Sequence, residues 1–244
     1  MGEHHLSHGP ANRGRYVLQT AAPLFVREPV GAPRGAVIVL HDVFGVTDYA
    51  EEACRRLARG GWLAVSPYLY YEHGGPAFDA TELPVARGEM TRLTAEGLAA
   101  DIAGARDYLT GRRGMPAPAV LGFSMGGYLA TWAAAHHDLA GAVAVSPSGV
   151  EHAPWAGMAP LELLVADRRA PWLGVLGRDD RRLPPDAPER LRLAAAASGP
   201  HASVVLLPEA GHGFYRTGRP GHAPHADTEA WRRITAFLAR FAAP

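Results

Sequence analysis

Apolar residues fall along this chain in two patterns. The first is the continuous run without alternation: Ala36–Leu40, Trp62–Val65, Ala119–Leu121, Ala142–Val145, Trp172–Leu176 and Val204–Leu207. A run that is apolar at every position leaves no face for water, so each predicts a strand buried on both sides, as in the centre of a parallel sheet. The second pattern has helix-forming composition and an apolar face, over Tyr49–Arg59, Glu89–Leu109, Gly126–His137, Pro188–Ala197 and Thr228–Phe241. The two kinds alternate. That order predicts an α/β fold, a mostly parallel sheet with right-handed crossovers and helices on both faces. Two short β-like runs, Tyr16–Gln19 and Leu24–Arg27, predict an opening antiparallel pair. Residues 1–14 read as a flexible tail and residues 15–244 as a single domain, with no composition shift or repeat to divide it. Tyr70–Thr81, with Gly74-Gly75-Pro76, is the longest irregular stretch, either a loop beside the substrate or an exposed linker.

Composition narrows the picture without changing it. With 244 residues, 48% hydrophobic and 20% charged, the chain can bury a sizeable core. The 24 basic residues balance the 24 acidic ones, so no overall charge draws it to nucleic acid or an anionic membrane. Cys54 is the one cysteine, which rules out an intrachain disulfide and favours the cytoplasm. Met1–Pro10 carries Glu and His where a secretory signal needs an apolar stretch, and no later run has bilayer length, so no membrane association is expected. His4, His5 and His8 have metal-ligating side chains, but a polar frayed end accounts for them better. Neither a metal nor a cofactor is expected, and the chain is read as a monomer or small homo-oligomer.

The candidate chemistry centres on Gly122-Phe123-Ser124-Met125-Gly126, of the form G-x-S-x-G. It stands between the apolar run Ala119–Leu121 and the Ala-rich segment Tyr128–His136, the strand-turn-helix setting of a nucleophile elbow. Bulk at Gly122 or Gly126 would strike the neighbouring strand or helix. Ser124 then sits at the carboxyl end of the sheet, beside a helix N-terminus that favours negative charge. A serine hydroxyl needs a base. His212 fits, in Pro208-Glu209-Ala210-Gly211-His212-Gly213-Phe214 after a strand; His136, His137, His201, His222 and His225 lack that setting. The acid is expected between Ser and His, at a strand end, where Asp179 and Asp180 are adjacent. Asp180 is the choice, because Gly-x-x-Asp ahead of Leu183-Pro184-Pro185 is the commoner arrangement. Acyl transfer also needs two oxyanion donors, each worth about 3–4 kcal/mol of barrier. The backbone N–H groups of Met125 and Val43 are the candidates, the latter in His41-Asp42-Val43-Phe44-Gly45. His41 and Asp42 lie at the mouth of the site; for His41 packing of the loop is the preferred reading.

The loop His41–Val46, the strand end Ala64-Val65-Ser66-Pro67-Tyr68-Leu69-Tyr70, the elbow, Asp180 and Ala210–Arg216 occur in the order and spacing of the dienelactone hydrolase family. The chain resembles that family from about Ala36 to Phe241. The resemblance implies a compact α/β-hydrolase fold without a large cap, and hydrolysis of an unsaturated lactone that carries a carboxylate. The best-known members use a cysteine where this chain has Ser124, and a glutamate where it has Asp42. A serine, with a far higher pKa than a thiol, leans on His212 throughout, so an ester or lactone other than dienelactone is the expected small-molecule substrate. Arg216 matches a family arginine that binds the substrate carboxylate, and a second family arginine corresponds to Arg87 or Arg92. Phe44, Tyr68, Tyr70, Tyr71 and Trp155 are candidate pocket walls.

The sequence leaves two other functions open. One is a biosynthetic thioesterase, acyltransferase or cyclase using the same serine; the other is a non-catalytic binding protein on a hydrolase fold, whose signature would be a missing triad member.

Overall fold

The computed structural model describes residues 15–17 and 22–243 of the chain. The expected tail, with His4, His5 and His8, lies outside the described residues. By packing, the described residues form two compact units: those up to Val39, Phe44–Pro118 and Ala243 in the first, Leu40–Val43 and Ala119–Ala242 in the second.

The first unit is a mixed sheet with helices. β1 (Arg15–Val17) runs antiparallel to β2 (Leu24–Arg27), which runs antiparallel to β4 (Leu63–Pro67), and β4 is parallel to β3 (Ala36–Leu40), of which residues 36–39 belong to this unit. The expected opening pair is therefore present, in register Tyr16↔Phe25. β3 and β4 are buried at every residue, as the apolar runs Ala36–Leu40 and Leu63–Val65 require. Between them α1 (Asp48–Arg59) buries Ala50, Ala53, Cys54, Leu57 and Ala58 at helical spacing and packs on β4. Asp48 and Glu51 in its first turn, with Arg56 and Arg59 in its last, oppose the helix dipole.

One long helix was expected over Glu89–Leu109, and two are found: α2 (Leu83–Arg92) and α3 (Ala95–Asp107). Leu93 is extended, and the Thr94 hydroxyl accepts the Gly97 N–H at 3.1 Å, so a side-chain cap replaces the continuing backbone ladder. Residues 70–81 are irregular, as expected, apart from the single turn Tyr71–His73 and the start of the turn Ala80–Glu82.

The second unit is an all-parallel sheet, β5 (Ala119–Phe123), β6 (Gly141–Val145), β7 (Trp172–Gly177) and β8 (Ala202–Leu207) in that order. β5, β6 and β7 are buried throughout, while β8 is half-exposed. The intervening helices are α4 (Met125–His136), α5 (Leu161–Asp167), α6 (Ala187–Ala197) and α7 (Pro224–Leu238). The sequence pattern did not predict α5. α7 begins four residues before the expected Thr228 because Pro224 opens it, where a missing N–H costs nothing. α4 is buried from Met125 to Ala135; its small residues let it lie close on β5 and β6. The buried Trp172 indole donates to Thr131 Oγ1 at 3.0 Å, so this interior polar pair is satisfied. No helix among the described residues is long and apolar enough to cross a membrane.

Candidate active site

Ser124 follows β5 directly and opens α4 with φ 53° and ψ −109°, a conformation that side chains rarely adopt. What holds it there is steric. A Cβ on Gly122 would overlap the carbonyl oxygen of Gly126, and a Cβ on Gly126 would overlap that of Leu40. Strand and helix approach more closely than any side chain allows, and the turn between them must project its residue outward. The Ser124 N–H is tied to Val145 O at 2.9 Å, and its carbonyl accepts the Tyr128 N–H at 3.1 Å.

β7 and β8 deliver the other two groups. Arg178 N–H donates to Leu207 O, and Asp179 N–H to Ala210 O at 2.9 Å, so the turns after the two strands are stitched together. Asp179 is exposed and Asp180 buried. Asp180 Oδ1 accepts the Arg182 N–H at 3.0 Å, and Oδ2 lies 2.8 Å from His212 Nδ1. A carboxylate accepts only, so Nδ1 carries the proton and Nε2 is left as the acceptor. Ser124 Oγ is 2.8 Å from that Nε2. The structure therefore brings Ser124, His212 and Asp180 into one hydrogen-bonded line across 88 and 32 residues of sequence. Chemically, such a line can take the hydroxyl proton as Ser124 attacks a carbonyl carbon, and hand it to a leaving group.

The proposed oxyanion residues are both buried. Met125 is the first residue of α4, where backbone N–H groups have no partner within the helix. Val43 lies in the 40–43 segment, under whose first carbonyl Gly126 fits.

Asp42 is held within the same unit. Its Oδ2 accepts Arg216 Nε at 2.7 Å and the Tyr215 hydroxyl at 3.3 Å, and Arg216 Nη2 donates to that hydroxyl at 3.3 Å. The Arg216 and Asp42 side chains are 11% and 7% exposed. Burial, with the Asp42 charge, pushes the Tyr215 phenol up, so it stays protonated. Tyr215 stands in the Ala210–Arg216 stretch that carries the resemblance but has no role assigned from the sequence. Its only signal was its place beside Arg216, whereas its ring packs on Phe123 at 5.0 Å, the residue before the nucleophile candidate.

The remaining candidates make the following contacts. Trp155 is buried with its ring 5.9 Å from Tyr128, whose hydroxyl donates to Ala159 O at 2.7 Å; it packs over α4. Phe44, Tyr68, Tyr70, Tyr71 and Arg87 belong to the first unit. There the Phe44 carbonyl accepts the Phe78 N–H at 2.8 Å, Tyr70 meets the Phe78 ring edge-on at 6.2 Å, and Arg87 is exposed on α2. Arg92, the other candidate, is exposed and paired with Glu89.

A family model described as the dienelactone hydrolase family matches residues 23–242. The chain belongs to the dienelactone hydrolase family. As a member of that family it is a hydrolase, and its fold is the α/β-hydrolase fold. A Salmonella typhimurium protein named "Putative carboxymethylenebutenolidase" is 31% identical over 218 residues, covering 84% of this chain and 77% of the relative. An Escherichia coli protein of the same name is 28% identical over 213 residues, covering 86% and 78%. The crystal structure of a "Putative Dienelactone Hydrolase" from Klebsiella pneumoniae superposes with a TM-score of 0.79 at 28% identity, covering 98% of this chain and 97% of that one.

Proposed function

We propose that this member of the dienelactone hydrolase family cleaves a small carboxylic ester or lactone through an acyl-enzyme on Ser124. The observation that carries the reading is the unbroken relay, Ser124 Oγ to His212 Nε2 at 2.8 Å and His212 Nδ1 to Asp180 Oδ2 at 2.8 Å. His212 removes the Ser124 proton as Oγ bonds to the carbonyl carbon. The developing oxyanion is met by the N–H groups of Val43 and Met125. Collapse breaks the ester C–O bond, with His212 returning the proton to the leaving alkoxide, which in a lactone remains tethered to the acyl group. Water, deprotonated by His212, then attacks the acyl carbon and regenerates Ser124. Asp180 keeps the imidazole in the tautomer the cycle needs and stabilises it while charged.

Arg216 bears on the substrate. With Asp42 at 2.7 Å, its charge is already compensated, so a substrate carboxylate gains little from it and must compete with Asp42. The reading therefore shifts from the anionic lactone that the resemblance implies toward neutral esters and lactones.

A panel of neutral and carboxylate-bearing p-nitrophenyl esters, aromatic lactones and acyl thioesters, assayed with the wild type and Ser124→Ala, tests this. Turnover of neutral oxygen esters or lactones that disappears in the variant is expected. Turnover of thioesters alone would overturn the oxygen-ester reading in favour of a thioesterase, and acyl transfer to an added amine or alcohol with no release of free acid would overturn it in favour of an acyltransferase.

A further inference from the structure

His41 is a histidine with 1% exposure and no place in the relay. Its Nδ1 lies 2.7 Å from the carbonyl oxygen of the next residue, Asp42. A carbonyl oxygen only accepts, so Nδ1 carries the proton and the ring donates. Burial pulls the imidazole below its ordinary pKa, which keeps it neutral with that one donor in place.

The Asp42 carbonyl and the Val43 N–H are two ends of one peptide. The described chain contains no cis peptide bonds, and in a planar trans peptide the C=O and N–H point in opposite directions. Whatever grips the carbonyl therefore aims the N–H. We propose that His41 is a positioning residue of the oxyanion site: by donating Nδ1–H to the Asp42 carbonyl it fixes the plane of the Asp42–Val43 peptide, and so the direction of the Val43 N–H. The proposal rests on the Ser124 acyl-transfer reading and on Val43 as a donor within it.

Two further observations fit this role. A hydrogen bond accepted at the carbonyl polarises the peptide and makes its N–H the stronger donor, an effect that matters most where water is excluded. The Asp42 side chain is separately anchored by Arg216 Nε and the Tyr215 hydroxyl, so the residue before the donor is held at both its side chain and its carbonyl. Oxyanion stabilisation depends on donors being in place before charge develops, and a peptide free to rock about its axis loses that advantage. A hydrophobic side chain could fill the same space, but it could not hold the carbonyl.

The test compares His41→Leu, which keeps bulk and loses the donor, with His41→Asn, whose amide N–H stands close to where Nδ1 stood. Four quantities are measured: kcat and KM for a neutral p-nitrophenyl ester, Ki for an aryl trifluoromethyl ketone that forms an oxyanion on the serine, fluorophosphonate titration to count competent sites, and Tm. For folded His41→Leu, kcat should fall about tenfold to a hundredfold with KM nearly unchanged, and the ketone should weaken by a similar factor. His41→Asn should recover most of both losses. Wild-type kcat and ketone affinity in His41→Leu, or a His41→Asn as impaired as His41→Leu despite full titration, would overturn the proposal. Should His41→Leu not fold, His41→Asn decides alone: kcat and ketone affinity near those of the wild type support the role, and a loss of both in folded protein contradicts it. A wild type that fails to label at Ser124 would instead overturn the acyl-enzyme reading itself, so the two failures are distinct.

Discussion

The loops after β7 and β8 and the helices of the first unit hold their charges with bonds of nearly equal length and very unequal consequence. In the loops, Arg216 meets Asp42 at 2.7 Å with both side chains nearly sealed, and the Asp180 side chain has no exposed surface at all. On α1, Arg59 meets Glu52 at 2.6 Å with 63% and 33% exposure. Water competes for every charge in the second case and for almost none in the first. An exposed pair is worth between zero and about 1 kcal/mol, whereas removing one partner of a buried pair strands the other and costs about 3–5 kcal/mol. Distance alone does not rank these contacts; burial does.

The sharpest break of this contrast lies within two adjacent residues. Asp180→Asn should lower ester kcat by about 10⁴, because an amide in place of the buried carboxylate presents His212 with the wrong tautomer. Asp179→Asn, exposed, should stay within about threefold of the wild type, since surface substitutions away from such contacts are nearly neutral. Steady-state kinetics on the two variants checks both. Equal losses would show that the contrast between buried and exposed carboxylates does not govern this site.

Next in size is Arg216→Met, which keeps the stem and removes the cation that compensates the buried Asp42 carboxylate. It should cost about 3 kcal/mol by chemical denaturation, against less than about 0.5 kcal/mol for Arg59→Met. A smaller loss at Arg216 than at Arg59 would reverse the ranking by burial.

Asp101 is the informative intermediate. It is a buried acid of the first unit whose Oδ1 accepts the Ala22 N–H at 2.9 Å, and burial, opposed by that hydrogen bond and aided by Glu72, pushes its carboxyl up to about 6. Because the folded pKa is raised above the ordinary value near 4, its contribution to stability is fully present below about pH 4 and is lost as pH rises through about 6. Asp101→Asn keeps the acceptor and removes the charge. It should leave stability nearly unchanged at pH 4 and raise it by about 1 kcal/mol at pH 8, read as a Tm increase at the higher pH only. An equal effect at both values would mean that the carboxyl does not titrate with folding.

The same contrast explains what the amino-acid sequence disclosed. β3, β5, β6 and β7 were legible because burial on both faces forces unbroken apolar runs, and the elbow was legible because two backbone contacts admit only glycine at 122 and 126. The break between α2 and α3 was not, since Thr94 as a cap looks like any threonine inside a helix until its hydroxyl is seen on Gly97. α5 follows Pro160 without a side-chain cap and spans seven residues, too few for a periodic pattern to register. Asp42 and Arg216 were both singled out, yet nothing local marks that residues 174 apart are each other's partner. The role of Tyr215 was hidden for the same reason. Steric necessity is written next to the residue it constrains; long-range charge pairing is written nowhere in particular.

The central claim is that Ser124 is the acylated residue and His212 its base. The most direct measurement is fluorophosphonate labelling followed by peptide mass spectrometry on the wild type, Ser124→Ala and His212→Ala, with Tm recorded for each. The expected result is a single adduct on Ser124 in the wild type, no adduct in Ser124→Ala, and labelling slowed about a thousandfold in His212→Ala, with melting temperatures nearly unchanged. An adduct on another residue, or a folded Ser124→Ala that still labels at the wild-type rate, would contradict it.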